Sequence, residues 1–387
     1  MKNLISLLVK PAGPDCNLNC TYCFYLDKAE LFEPGKHRMS DEVLENLIRQ
    51  LMKQSGNEVS ITWQGGEPTL MGLPFFKKVI EFETKYGQGK VIGNGFQTNG
   101  LLLNEEWADF LKEYNFLVGI SLDGPQHIHD HYRKTPNGKG TWKIVSRNAK
   151  MLVSRGVEVN AMTTVTDYSA DYAKEIYQYH KQMGLGYMQF IPIVETDKTN
   201  SAQSAPYSVT GEKYGRFLCS IFDLWMADYA NGSETTSVRH IESVFHRYVG
   251  KEAPECPLKR ECGVYMVVEH NGDVYPCDFF VTPEMKLGNI ADDQLIDLLN
   301  SDKMTAFGKL KTVLPVDCTT CHWKPFCYGG CTKDRVHDLR DKGDNHLCIA
   351  YKMFLAHADP ILLALASRFH EARAGETDTF DASGLFS

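Results

Sequence analysis

Twelve cysteines in a 387-residue chain, and above all where they stand, constrain this sequence more than any other feature. Cys16, Cys20 and Cys23 lie within eight residues near the start, eight more fall between 256 and 348, and Cys219 stands apart. The opening run MKNLISLLVKPAG is apolar only from Leu4 to Val9. That is too short for a signal-peptide core or a membrane span, so a cytoplasmic location without a membrane is expected. In a reducing compartment, cysteines spaced like these act as metal ligands or redox thiols rather than as a disulfide framework. The net charge of −8, with no long basic run, argues against a nucleic-acid partner. The length accommodates one large and one small domain.

Up to residue 194, short apolar runs alternate with amphipathic segments. Strands are predicted at SLLVKP, 59–64, 91–98, 116–122, 157–165 and 187–194. Helices are predicted at 41–54, with Ser40 as N-cap, and at 73–86, 104–114, 141–155 and 170–183. This β-then-α order implies a parallel sheet with helices outside, either an open doubly wound sheet or a partial barrel. Both place their chemistry at the C-terminal ends of the strands. The Cys16–Cys23 loop, Gln64–Pro68, Gln97–Gly100 and Ser121–Pro125 all follow predicted strands.

Three thiolates on one short loop can hold three irons of a cubane and leave the fourth open, whereas structural zinc wants a fourth ligand that is not nearby. The later eight, Cys256, Cys262, Cys277, Cys318, Cys321, Cys327, Cys331 and Cys348, divide into two four-thiolate sites. Spacing alone leaves both zinc and iron–sulfur open there. Cys219 lies in a predicted helix, 212–231, and reads as a packed thiol. The histidines of HIHDHYR, 127–133, read as an exposed polar loop rather than a metal site.

CNLNCTYCFY, followed by GGEP at 65–68, resembles the radical S-adenosylmethionine (SAM) superfamily, and the 262–348 cysteine pattern resembles its SPASM extension. Together with SLLVKPAGPD, WQGGEPTL, FQTNG, FLVGISLDGP and VYPCDFFV, the chain resembles the anaerobic sulfatase-maturating enzymes from about Leu4 to about Tyr351. The resemblance implies an α/β fold: a partial (β/α)6 barrel over 1–194, a linker and helical segment over 195–255, and a small cysteine-rich domain over 256–348. A C-terminal helix over 349–370 and a mobile tail over 371–387 complete the expected organisation.

It also implies SAM and three 4Fe–4S clusters as cofactors. Cys16, Cys20 and Cys23 would hold the SAM-binding cluster, with Tyr22, Gly66, Ser121, Arg133 and Val194 contacting SAM. Cys256, Cys262, Cys277 and Cys331 would hold one auxiliary cluster, and Cys318, Cys321, Cys327 and Cys348 the other. The implied reaction is radical oxidation of a sulfatase cysteine or serine to Cα-formylglycine, begun when a 5′-deoxyadenosyl radical takes a hydrogen from Cβ. Asp278 would be the base, and Tyr25 would line the pocket. Implied partners are an unfolded or nascent sulfatase segment and an electron donor such as flavodoxin or ferredoxin. Two other classes compete. One is a SPASM maturase that builds thioether or carbon–carbon crosslinks, although the first strand near Leu4 leaves no room for the N-terminal peptide-recognition domain that many such relatives carry. The other is a non-enzymatic cysteine-rich metal-binding or electron-transfer module.

Overall fold

The computed structural model describes residues 1–201, 203–230, 236–335 and 345–375. In chain order its main elements begin with β1 (Ser6–Lys10), α1 (Asp41–Gln54), β2 (Glu58–Trp63), α2 (Leu73–Tyr86), β3 (Val91–Thr98) and α3 (Glu105–Glu113). Then come β4 (Leu117–Ser121), α4 (Gln126–Tyr132), α5 (Trp142–Ser154), β5 (Val159–Val165), α6 (Ala173–Gln182) and β6 (Tyr187–Pro192). Next are α7 (Gly211–Ala230), β7 (Ser237–Val238), α8 (Arg239–Tyr248), β8 (Met266–Glu269) and β9 (Asp273–Tyr275), and a C-terminal helix spans Cys348–Gly375. By contacts the chain forms two compact units. The first comprises Met1–Met162, Gln182–Leu185 and Gly263–Lys309, and the second Thr163–Lys181, Gly186–Cys262 and Leu310–Ser387.

In the first unit, β1 to β5 pair in parallel in chain order. Helix starts are fixed by side chains: Ser40 accepts from the Val43 amide, and Asn104 from the Trp107 amide. Between sheet and helices the core is aromatic, with Trp63, Phe75, Phe76, Phe96, Trp107 and Phe116 in edge-to-face contact. The cysteine-rich stretch also contributes here. Strand β8 pairs in parallel with the open edge of β1, and β9 folds back antiparallel on β8. The sheet is therefore mixed and continues past the strands expected from sequence. The run MVVE is too short to announce a strand by itself; the unpaired edge of β1 gives it one.

In the second unit, β6 pairs with β7, and α7 packs against the C-terminal helix. Gly215 permits the approach, since a Cβ there would sit 2.7 Å from the Met353 sulfur. That helix is long and apolar enough by composition to cross a membrane, but it buries Phe354, Leu355, Ala358 and Leu362 in this unit. It runs to Gly375, past the expected end at 370; the rest of the expected mobile tail, 376–387, lies outside the described residues. The polar connection after β6 is closed by backbone bonds from Ala205 N to Glu195 O and from Val209 N to Ile193 O.

Candidate active site

The Cys16–Cys23 loop follows β1 and is tied down along its length. Gly66 N donates to Gly13 O and Glu67 N to Asp15 O, each at 2.8 Å, while Asn19 N reaches Lys134 O at 2.8 Å. Gly66 must be glycine, because a Cβ would lie 2.0 Å from the Asp15 carbonyl oxygen. Glu67 braces the strand ends: its buried carboxylate accepts from Thr69 N, Thr69 Oγ1, Thr98 Oγ1 and Asn99 N. Asn99 in turn donates to Asn17 Oδ1 at 2.7 Å and approaches the Cys16 sulfur at 3.7 Å. His37 and Arg38 bind the Asp15 carboxylate and, against its burial, hold its pKa below the usual range.

Burial pushes the Cys16 thiol up to about 12 and Cys20 to about 11, and neighbouring thiols of the loop add to the effect. Such thiols ionise when a cationic centre binds them. Among the described residues, no three His, Cys, Asp or Glu side chains converge closely enough for a single metal ion. Three mutually sensing thiols in one loop suit a cluster, whose ligands bind separate irons, with the Leu18 amide already donating to Cys16 sulfur at 3.4 Å.

Two of the expected SAM-contact residues meet at one buried carboxylate. Arg133 grips Asp123 through Nε at 2.8 Å and Nη2 at 3.1 Å, and the Tyr22 hydroxyl donates to Asp123 at 2.7 Å. Burial opposes the charge on Asp123, but Arg133 outweighs it and keeps the carboxyl ionised. Ser121 ends β4 and accepts from Gln97 at 3.1 Å. Val194 belongs to the second unit, where its carbonyl accepts from the Lys333 ammonium.

The HIHDHYR stretch is not an exposed loop. Most of it is helix α4, and His129 is fully buried, while His127 and His131 do face solvent. The Asp123 amide donates to His129 Nδ1 at 3.3 Å, and Nε2 meets Thr141 Oγ1 at 3.0 Å. Burial lowers its pKa to about 4, so it stays neutral and buttresses the carboxylate that holds Arg133. The alternating histidines read as an exposed polar loop; the helix instead turns His129 inward.

Asp278 is buried in a short turn after β9 and accepts from the Tyr265 hydroxyl at 3.1 Å, with the sulfur of Cys277 3.6 Å away. Tyr25 packs with Tyr265 and Tyr275 in the same apolar cluster. Lys10, Glu269 and Tyr265 were not singled out from sequence. A lysine ending an apolar strand was the one visible signal for Lys10.

In the second unit, Cys318, Cys321, Cys327 and Cys348 line one cavity together with Trp323, Gly329 and Tyr351. A hydrogen bond between the free thiols of Cys256 and Cys262, helped by Lys311 and opposed by burial, lowers the Cys262 pKa to about 6. Cys331 senses Cys262, and buried Lys311 feels all three thiols. Cys277 belongs to the first unit. Cys219 is half-buried on α7, its sulfur 3.8 Å from Met353 O.

A Radical SAM superfamily model matches residues 11–179, and an iron–sulfur cluster-binding SPASM model matches 256–322. The serine-type anaerobic sulfatase-maturating enzyme of Bacteroides thetaiotaomicron is 39% identical over 374 residues, which cover 92% of this chain and 90% of the relative. The chain belongs to the anaerobic sulfatase-maturating enzyme family. The cysteine-type enzyme of Clostridium perfringens is 36% identical over 368 residues, 94% of this enzyme and 98% of its own length. A solved structure of native anSMEcpe with bound AdoMet matches this enzyme with a TM-score of 0.87 at 36% identity, covering 94% and 99% of the two chains. Streptococcus suis SuiB, at 15% identity and a TM-score of 0.63, shares the fold.

Proposed function

We propose that this enzyme oxidises the Cβ of a cysteine or serine in a sulfatase peptide to Cα-formylglycine, with Asp278 as the base. The observation that carries the reading is a buried carboxylate, Asp278, fixed by Tyr265 and standing beside Cys277, so that proton and electron acceptors adjoin. Relatives called serine-type and cysteine-type, and a solved structure of anSMEcpe with AdoMet and a Cp18Cys peptide, support it.

Cys16, Cys20 and Cys23 would hold the SAM-binding cluster. Tyr22, Gly66, Ser121, Arg133 and Val194 would contact SAM. Cys256, Cys262, Cys277 and Cys331 would hold one auxiliary cluster, and Cys318, Cys321, Cys327 and Cys348 the other. When bound, these groups supply the hydrogen-abstracting radical and an acceptor for the remaining electron. The protein does the rest. Asp123 aims Arg133 and Tyr22, and Gly66 brings the GGEP backbone against the cluster loop. Tyr265 occupies Asp278 Oδ1, leaving Oδ2 to take the target's S–H or O–H proton once the Cβ hydrogen is gone. Serine then ends as the aldehyde directly; cysteine ends as a thioaldehyde that water hydrolyses with loss of hydrogen sulfide. The substrate is an unfolded or nascent sulfatase segment in the cytoplasm, and flavodoxin or ferredoxin supplies electrons.

Anaerobic incubation of reconstituted enzyme with SAM, a reductant and sulfatase peptides carrying cysteine or serine tests this. The expected product has the thiol-to-aldehyde or alcohol-to-aldehyde mass change and is trapped by a hydrazide. A mass change with no trappable aldehyde identifies a crosslinking maturase instead.

A further inference from the structure

The last residues of β1 and β8 are partners across the parallel ladder, which sets Lys10 beside Glu269. Both are sealed from solvent, at 1% and 0% exposure. Burying two ionisable side chains at this depth is costly, and neither packs as an apolar residue there would. What both touch is Tyr25. The Lys10 ammonium lies 3.3 Å from the centroid of the Tyr25 ring, and the Tyr25 hydroxyl donates to Glu269 Oε1. The other oxygen, Oε2, is buried without a hydrogen bond among the described residues, with His270 Nδ1 3.9 Å away. The ammonium therefore holds the face of the ring and the Glu269 side chain its hydroxyl.

We infer that Lys10 and Glu269 are positioning residues for Tyr25, fixing its ring as a rigid wall of the pocket in which hydrogen is taken from the substrate carbon. The inference rests on the reading of Tyr25 as part of the reaction site. Hydrogen transfer to a carbon radical tolerates little misplacement, since a shift of about 1 Å can cost on the order of a hundredfold. A wall free to turn would let the radical spend itself elsewhere, so SAM would be consumed without aldehyde.

The test is the ratio of formylglycine to 5′-deoxyadenosine in full-length, cluster-reconstituted Lys10→Met, Glu269→Ala and Glu269→Gln, with iron content and SAM affinity as folding controls. Lys10→Met and Glu269→Ala should lower the ratio roughly tenfold or more. Glu269→Gln, which still accepts from the hydroxyl, should keep the parent ratio. With Tyr25→Phe, Glu269→Ala should add nothing while Lys10→Met still lowers the ratio; with Tyr25→Ala neither should add anything. Losses that persist undiminished in Tyr25→Ala, or parent ratios in both single variants, overturn the inference. A second readout needs no turnover. Fluorotyrosine at position 25 should give one sharp 19F resonance in the parent and in Glu269→Gln, and a shifted or broadened one in Lys10→Met and Glu269→Ala. Unchanged resonances overturn the pairing even if the peptide chemistry stands. Changed ones uphold it even if no sulfatase peptide is modified, so the two readings fail separately.

Discussion

Asp278→Asn keeps the size of the side chain and removes its basicity. Because Tyr265 can still donate to the amide oxygen, the turn should hold, and iron content and SAM binding should match the parent. Formylglycine yield should fall by at least ~10²-fold, the low end of what a positioned base contributes, while some 5′-deoxyadenosine still forms. Near-normal aldehyde yield would remove Asp278 from the mechanism. A second residue speaks to stability. Burial raises the Glu83 carboxyl to about 7, even though the Asn94 amide donates to both its oxygens. A carboxyl raised in the folded state favours folding below its unfolded value of 4.5, and that contribution is lost as pH rises through about 7. Glu83→Gln should therefore be more stable than the parent at pH 8, by roughly 3 kcal/mol, and the two should converge below about pH 4.5. Equal unfolding midpoints at both pH values would show that Glu83 carries no such penalty. Residues in local motifs, such as Tyr22 and Gly66, were legible from sequence. Asp123, Lys10 and Glu269 were not, because their partners lie 10 to 259 positions away and only the fold, through helix α4 in the one case and the sheet in the other, joins them.

Among the elements, the cluster loop and the turn after β2 meet with no room for a side chain at Gly66. At Gly66 the three nearest atoms to an added Cβ are all backbone, at 2.0, 2.5 and 2.6 Å, so no side chain can yield. Overpacking of this kind costs ~1–3 kcal/mol or more. Gly66→Ala should accordingly weaken SAM binding by roughly ten- to a hundredfold, measured by equilibrium binding, with the auxiliary-site iron retained. Unchanged affinity would show that the loop is freer than these distances imply. The period-two and period-3.6 patterns revealed β1 to β6 and the helices outside them, because each buries a stripe that its own sequence displays. Strand β8 left no such trace: its four residues are all buried, and it is a strand because β1 offers it a free edge. Helix α4 was hidden for a related reason, its histidines being polar in sequence and, at His129, buried in the fold.

At the scale of the whole molecule, the proposed allocation of eleven cysteines to three cubanes predicts the metal content. Four thiols line one cavity in the second unit, three more sense the same buried Lys311, and three share the loop after β1. With Cys277 that makes eleven, and it excludes only Cys219, whose half-buried sulfur on α7 lies against the Met353 carbonyl of the C-terminal helix. Protein reconstituted anaerobically should be brown and carry about twelve irons per chain. Cys219→Ala should leave that number unchanged, with a packing penalty of at most ~1–2 kcal/mol. Changing Cys16, Cys20 and Cys23 together to Ala should remove about four irons and abolish SAM cleavage if, as proposed, they hold the cluster whose open iron binds SAM. The same three substitutions should leave the cavity of Cys318, Cys321, Cys327 and Cys348 intact, since those thiols stand in the other unit. A parent protein with about four irons and two zinc ions would keep the SAM chemistry and sink the auxiliary-cluster assignment. Iron lost from Cys219→Ala would show instead that the ligand set itself is wrong.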